Sequence, residues 1–177
     1  MKLNTFEADL PRSLARSVWI EVSTTLTASD VWANLMTESR PMEDPDVRWK
    51  QRYRNFSAAV DNLREALTID DPNKFERQGL IKAFELAYEL AWKTLQDYLR
   101  ELGIQEVVGP KPVIRRAFSE GLIHDGTVWQ AMHQARNESS HLYDEDHARS
   151  VEKRVREEFA PLLSELRDMF KDRYSEQ

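Results

Sequence analysis

Cysteine is absent from the 177 residues, which excludes disulfides, thiolate metal ligands and a cysteine nucleophile together. Glycine is scarce: five residues, in a chain that is 41% hydrophobic and 32% charged, suit a helix-rich fold better than a β-rich or disordered one. Nowhere do about 18 apolar residues run together, so no membrane span is expected. Lys2 is not followed by a continuous apolar segment with a small-residue cleavage site, so no secretory signal is expected either. A cytoplasmic location fits these absences. Positive charge is in the minority, 25 Lys and Arg against 31 Asp and Glu, for a net charge of −6. Phosphate affinity comes mostly from neutralisation by Lys and Arg. A broad nucleic-acid surface is therefore disfavoured, and any contact with RNA must be small and local, or helped by a partner.

The apolar residues are ordered at helical spacing. Residues 1 to 41 carry two brief patterns, a strand-like alternation at Val18, Ile20 and Val22 and a helix-like group at Val31, Trp32, Leu35 and Met36 after Asp30. Neither lasts long enough to define an element. Asp44-Pro45 has the form of an N-cap followed by proline at the first helical position. Trp49, Tyr53, Phe56, Val60, Leu63 and Leu67 then recur at alternating spacings of four and three, one apolar face of a helix. In the turn that follows, Asp71 is expected to cap a second helix entered by Pro72, running from about Lys74 to Leu102, with Gly103 as its C-terminal cap.

Gly109-Pro110-Lys111-Pro112 is expected as loop, and Val113 to Phe118 as a short helix ended by Gly121, with Leu122 and Ile123 anchoring the turn. A further helix starts near Asp125 or Thr127 with Val128, Met132 and Ala135 on its buried stripe. Asp144 can cap a last long helix with the stripe Val151, Val155, Phe159, Leu162, Leu166 and Met169, kinked by Pro161 against the carbonyl of Glu157. The sum is an all-α, up-and-down bundle of four to five helices. Trp49, Trp92 and Trp129 lie on its apolar stripes and are expected in the core or at a dimer surface.

The side chains capable of chemistry concentrate in Arg136-Asn137-Glu138-Ser139-Ser140-His141-Leu142-Tyr143. Arg offers a planar, permanently charged fork for a phosphoryl group. His titrates near neutrality and can take or give a proton. Asn137 and Ser140 could support either, and Tyr143 could accept a nucleotide. Arg136 and His141 are five residues apart, about 140° around an ideal helix, so they share a face only if the helix ends or frays between them. Asn137 and His141, four apart, do share one, and His133 lies one turn earlier on it. The bland reading is a helix-end cluster of caps and salt bridges. His147 with Asp144 lacks the spacing of a metal site, so no metal is expected. Arg115-Arg116 is read as a solvated pair.

Arg136 to Tyr143 matches the R-x4-H-x-Y signature of HEPN-domain proteins of the HepT type, also described as nucleotidyltransferase substrate-binding proteins. Two more stretches resemble that family in order and spacing: Gly79-Leu80-Ile81 through Phe84-Glu85-Leu86 to Leu90–Leu95, and Val113-Ile114-Arg115 through Ala117-Phe118 to Gly121-Leu122-Ile123. The resemblance runs from about Asp46 to Leu166.

The resemblance implies a homodimeric helical bundle over residues 42–177 with the motif in a cleft between subunits, leaving residues 1–41 as an N-terminal extension outside it. It implies the toxin of a toxin–antitoxin pair, a metal-independent endoribonuclease with Arg136 and His141 as its catalytic pair, Asn137 as a polar support, RNA as substrate and no cofactor; Ser140 stays a support on the reading of its residue type alone. It also implies a cognate minimal nucleotidyltransferase antitoxin that silences the toxin by AMP transfer (AMPylation) to Tyr143. A different class of function, a non-catalytic accessory subunit binding a nucleotide or substrate for its nucleotidyltransferase, fits the acidic net charge. One hypothesis is that Met42, just before the first strong helix signal, is the natural start. Intact-mass measurement of protein from the native locus should then give the shorter chain, and the mass of all 177 residues would overturn that expectation.

Overall fold

The computed structural model describes residues 45–138 and 144–175. The patterns at Val18–Val22 and Asp30–Met36, the Met42 start and the Asp44 cap lie outside the described residues. Within them six α-helical segments follow in order: α1 (Pro45–Leu67), α2 (Lys74–Glu101), α3 (Pro110–Ser119), α4 (Gly126–Glu138), α5 (Glu145–Arg154) and α6 (Ala160–Ser175). A π-helical turn, Val155–Phe159, makes α5 and α6 one continuous rod. Among the described residues there is no strand, and no helix is long and apolar enough to cross a membrane. The all-α expectation holds, with five rods.

Pairings along the rods show how they run. Near the start of α1, Trp49 and Arg52 meet the end of α2 through Tyr98 and Asp97, so α1 and α2 are antiparallel. The last rod is antiparallel to α1 as well: Arg156 reaches the carbonyls of Leu67 and Ile69, Arg167 meets Asp61, and Phe170 packs on Trp49 and Tyr53. It runs parallel to α2, where Arg77 meets Glu152, Phe84 stacks on Phe159 at 5.1 Å, and Tyr98 packs edge-on to Phe170. The shorter α3 and α4 bridge the two parallel rods in sequence, which is what allows a parallel pairing without a long irregular crossover. Burial follows the expected stripes through Trp49, Phe56, Val60, Leu63, Phe84, Tyr88, Leu95 and Phe159, all sealed from solvent; beyond the π-helical turn the buried face shifts by one residue, so that Leu163 and Phe170 are sealed where Leu162 and Met169 were expected, and those two are half-buried. Each sealed side chain contributes about 2 kcal/mol of transfer free energy.

Three local expectations change. Asn73, not Asp71, caps α2: its side chain accepts from the backbone N–H of Phe75 and Glu76 at 2.9 and 3.1 Å, and Glu76 accepts from the N–H of Asn73 at 2.8 Å. That reciprocal capping box satisfies three backbone donors. Helix α3 begins at Pro110, three residues before the expected Val113, because proline at a first helical position gives up an N–H that has no partner there anyway. On α4, Trp129 joins Met132 and Ala135 as the buried residue, while Val128 is only half-buried.

Two ends follow the sequence. Gly103 and Gly121 adopt φ of 85° and 68°, left-handed values that admit glycine readily. Each lets the next residue's N–H reach back to the preceding helix, Ile104 to Leu99 and Leu122 to Ala117, both at 2.9 Å. Leu122 and Ile123 are buried, as expected. At Pro161, the rod answers the missing N–H with the π-helical turn just before it, in which the N–H of Ala160 reaches the carbonyl of Val155.

Charge is buried in two places. Arg77 is 2% exposed and donates to Glu152 at 2.7 Å, to Glu145 and to the carbonyl of Pro72 at 2.8 Å. Glu152, 8% exposed, also accepts from Arg156 at 2.8 Å. Burial alone raises the Glu152 carboxyl, but the hydrogen bonds from Arg77 and Arg156 outweigh it and hold the group below the usual carboxylate range. At the other end of α2, Asp97 is 3% exposed and gathers Arg52 at 2.6 Å, Arg100 at 3.3 Å and Arg48 at 3.6 Å. Glu152→Ala should cost about 3–5 kcal/mol, since it strips a buried guanidinium of its carboxylate. Urea unfolding checks this, and because the folded carboxyl is depressed, the wild-type advantage should fade as pH falls through its folded pKa.

Candidate functional site

The described part of α4 runs to Glu138, and the next described residue is Asp144, whose side chain accepts from the N–H of Asp146 and caps α5 as expected. Ser140, His141 and Tyr143 lie outside the described residues. Arg136 and Asn137 are described, and they touch. Arg136 Nη1 donates to Asn137 Oδ1 at 3.3 Å, and Arg136 Nη2 stands 3.8 Å from Glu89 Oε2. Glu89 is itself held on α2 by Trp92 Nε1 at 3.1 Å and Lys93 Nζ at 2.7 Å. Burial raises its carboxyl, yet the hydrogen bonds from Lys93 and Trp92 and the charges of Lys93 and Arg136 bring it below its ordinary value. Glu89 therefore stays ionised and tethers Arg136 electrostatically, while the Arg136 side chain keeps 45% of its surface open to solvent.

Asn137 extends the chain of contacts to His133. With Oδ1 taken by Arg136, its Nδ2 faces His133 Nε2 at 3.2 Å and donates to it. That arrangement requires the neutral imidazole with its proton on Nδ1, an assignment made from the hydrogen-bond network. The His133 ring packs 6.2 Å from Tyr88, and its Nδ1 is buried without a hydrogen-bond partner. Desolvation lowers the His133 pKa, the charges of Lys111 and Arg136 lower it further, and Glu89 opposes them. Burial likewise drives the Tyr88 phenol far above its ordinary value.

On the far side of His133 a cleft of about 430 Å³ opens between α3 and α4. From α3 it takes Lys111, Ile114 and Arg115, one helix face at spacings of three and four. From α4 come Gln130, His133, Gln134, Asn137 and Glu138, again one face. Glu138 at its rim accepts from Gln134 at 2.8 Å. Arg116, by contrast, points to Glu120 on the outside of α3, 2.8 Å away. Arg115 and Arg116 are both exposed, as expected of a solvated pair, with Arg115 at the cleft and Arg116 paired along the helix with Glu120. Among the described residues no three His or carboxylate side chains converge on a metal position.

Glu89, His133, Lys111 and Arg115 are the residues that inspection of the octapeptide does not supply. His133 has a visible signal, four residues before Asn137 on one helix face. Lys111 and Arg115 show the same spacing only once α3 is known to start at Pro110. Glu89 has a weaker one, an acid four residues before Lys93 on a helix whose apolar positions dominate the pattern.

Fold and cleft together define an all-α helical bundle with a cationic recess next to a helix-end Arg-Asn pair. The chain belongs to the family described as nucleotidyltransferase substrate binding protein like, whose model matches residues 51–172. It is 33% identical over 130 residues to a Haemophilus influenzae protein named as a probable ribonuclease HepT, which spans 63% of this chain and 89% of that one. Among solved structures, a Thermus thermophilus protein superposes with a TM-score of 0.58 at 33% identity, covering 67% of this chain and 98% of its own. An H. influenzae structure, presented as revealing the fold of a substrate binding domain of a nucleotidyltransferase, gives 0.59 at 27% identity with the same coverages. The HepT-type resemblance and the helical fold are thereby established.

The relay makes His133 a source of acid sensitivity. Its folded pKa lies below the ordinary value of 6.5, so the unfolded chain binds the proton more readily and stability falls as pH drops from about 6.5 toward the folded pKa. In His133→Gln, melting temperature should vary less with pH over that window; an unchanged slope would show that His133 does not carry it.

Proposed function

We propose that the protein is the toxin of a HEPN/minimal-nucleotidyltransferase toxin–antitoxin pair, acting as a metal-independent endoribonuclease that AMP transfer to Tyr143 silences. The observation that carries the proposal is Arg136, half exposed at the end of α4 and tethered by Glu89 and Asn137, in a chain that retains the R-x4-H-x-Y pattern of its family. Its 33% identity to a protein named as a probable ribonuclease supports the same reading. Arg136 would clamp the scissile phosphate and offset the charge that builds on it. His141 would take the proton of the attacking ribose 2′-hydroxyl as the new O–P bond forms, and return it to the departing 5′-oxygen as the old bond breaks. Asn137 fixes the guanidinium, and Ser140 supports the imidazole.

The site is proposed to lie at a two-fold cleft of a homodimer formed by the 42–177 domain, where Tyr143 can be reached by the partner nucleotidyltransferase. AMP on Tyr143 would add bulk and negative charge beside Arg136 and compete for its fork. The non-catalytic alternative, an accessory subunit presenting a nucleotide or substrate to a nucleotidyltransferase, is favoured by the net charge of −6 and by the relative presented as a substrate binding domain.

Purified protein with RNA in EDTA should cut, and Arg136→Ala and His141→Ala should each lose at least about 100-fold in rate, the usual scale for a charge clamp or a general acid/base. Equal cleavage by the variants would sink the nuclease reading. After incubation with the partner and ATP, mass spectrometry should find AMP on Tyr143, and its absence would remove the acceptor role.

A further inference from the structure

The geometry points to a second recognition element: the cleft between α3 and α4 is a subsite for a nucleotide phosphate, held by Lys111 and Arg115 beside the Arg136-Asn137-His133 relay. The inference rests on the nucleotide-directed reading above and extends it to residues outside the octapeptide. Lys111 and Arg115 stand four apart on one face of α3 and line the same cleft. Neither has an ion-pair partner among the described residues, whereas the neighbouring Arg116 is committed to Glu120. In a chain of net charge −6, two cations against the single carboxylate of Glu138 among the described lining of one recess are a local reversal of the average. The charge of Lys111 is felt at His133 across the cleft, so both walls share one field.

The shape suits a nucleotide better than a bare ion. A recess of about 430 Å³ falls within the usual range for small-molecule and cofactor sites, roughly 300–1,000 Å³. Ile114 supplies an apolar floor, and Gln130 an amide able to donate and accept along a base edge. Glu138, engaged by Gln134 at the rim, disfavours a second phosphate there and orients the ligand with its charge toward α3. Asn137 lines the cleft and also contacts Arg136, so a nucleotide in this subsite would lie next to one at the clamp. The phosphate could belong to an RNA backbone or to a free nucleotide such as the one the partner transfers.

Full-length protein separates the two sources in two arms: a short fluorescent single-stranded RNA blocked by 2′-O-methyl groups, read by anisotropy, and ATP, read by NMR shifts of the His133 ring. In at least one arm Lys111→Ala/Arg115→Ala should weaken binding by roughly ten-fold, and in the RNA arm it should reduce the slope of log affinity against log salt by about one to two. Arg116→Ala, exposed on the same helix, should change affinity less than about two-fold. Loss confined to ATP assigns the subsite to a free nucleotide, and loss with the RNA probe assigns it to the RNA backbone. Wild-type binding by the double variant in both arms, equal loss in Arg116→Ala, or no binding by the wild-type protein overturns the subsite. Because the blocked RNA cannot be cut, a wild-type protein that binds it but never cleaves ordinary RNA would refute the nuclease while leaving the subsite in place.

Discussion

The buried Arg77-Glu152-Arg156 network is the constraint on which the arrangement of the rods depends. A guanidinium with 2% exposure on α2 is tolerable only if its nitrogens find acceptors, and here Glu152, Glu145 and the carbonyl of Pro72 supply one to each of the three. Arg156 then ties the same carboxylate to the carbonyls of Leu67 and Ile69, where α1 ends. Three rods are thereby fixed at one end by groups with directional bonds. Apolar burial would favour association in many registers, but a one-residue slide of the last rod would strip Arg77 of Glu152. The Asp97 cluster and the aromatic group of Trp49, Tyr98 and Phe170 hold the opposite end. The register of α2 against its neighbours is thus set twice.

That register positions the candidate site. Tyr88 and Glu89 are adjacent on α2: Tyr88 faces inward against Trp129 and His133, and Glu89 faces outward toward Arg136. One helix therefore supplies both the apolar seat for α4 and the anion that tethers its last arginine. The π-helical turn matters for the same reason, because it carries Phe159 onto Phe84, one turn of α2 before Tyr88. Proline at 161 removes a donor that a regular α-helix would need, and the extra residue in the turn keeps the aromatic contact while accommodating the loss. Core packing and the geometry around Arg136 are in this sense one problem.

Much of the fold was legible because it rests on the period of apolar residues. The stripes from Trp49 to Leu67 and from Val151 to Leu166 face inward as their spacing requires, with Leu67 and Leu162 at the half-buried margin. Helix ends were less legible because caps compete locally. Asp71, Pro72 and Asn73 are all plausible start signals, and the capping box with Glu76 decides among them through a reciprocal bond that single-residue preference does not weigh. The error at α3 had a larger consequence. Taking Pro110 and Pro112 as loop put Lys111 outside any helix, which hid its alignment with Arg115 and with it the cleft. The octapeptide stood out by its chemistry, but Arg136 is oriented by Glu89, 47 positions earlier in the numbering, and no local pattern reports so distant a contact.

The acidic balance of the chain and its cationic recess are compatible because they act over different ranges. At physiological ionic strength fields between exposed charges decay over about 8 Å, so a net charge of −6 governs approach from solution more than contact within a cleft. Long-range steering of any polyanion toward such a surface would be weak, and its association slow relative to that with a basic nucleic-acid binder. In the proposed subsite, Lys111 and Arg115 would meet a phosphate at contact distance, where screening by salt matters least. A subsite of this kind would select ligands that fit the cleft and would gain little from polyanions in general. A homodimer would place two such recesses on one particle, and a polymeric ligand spanning both would then bind more tightly by effective concentration, whereas a mononucleotide would not. The division between a surface that repels and a site that attracts thus favours specific, short-range recognition over general affinity for nucleic acid.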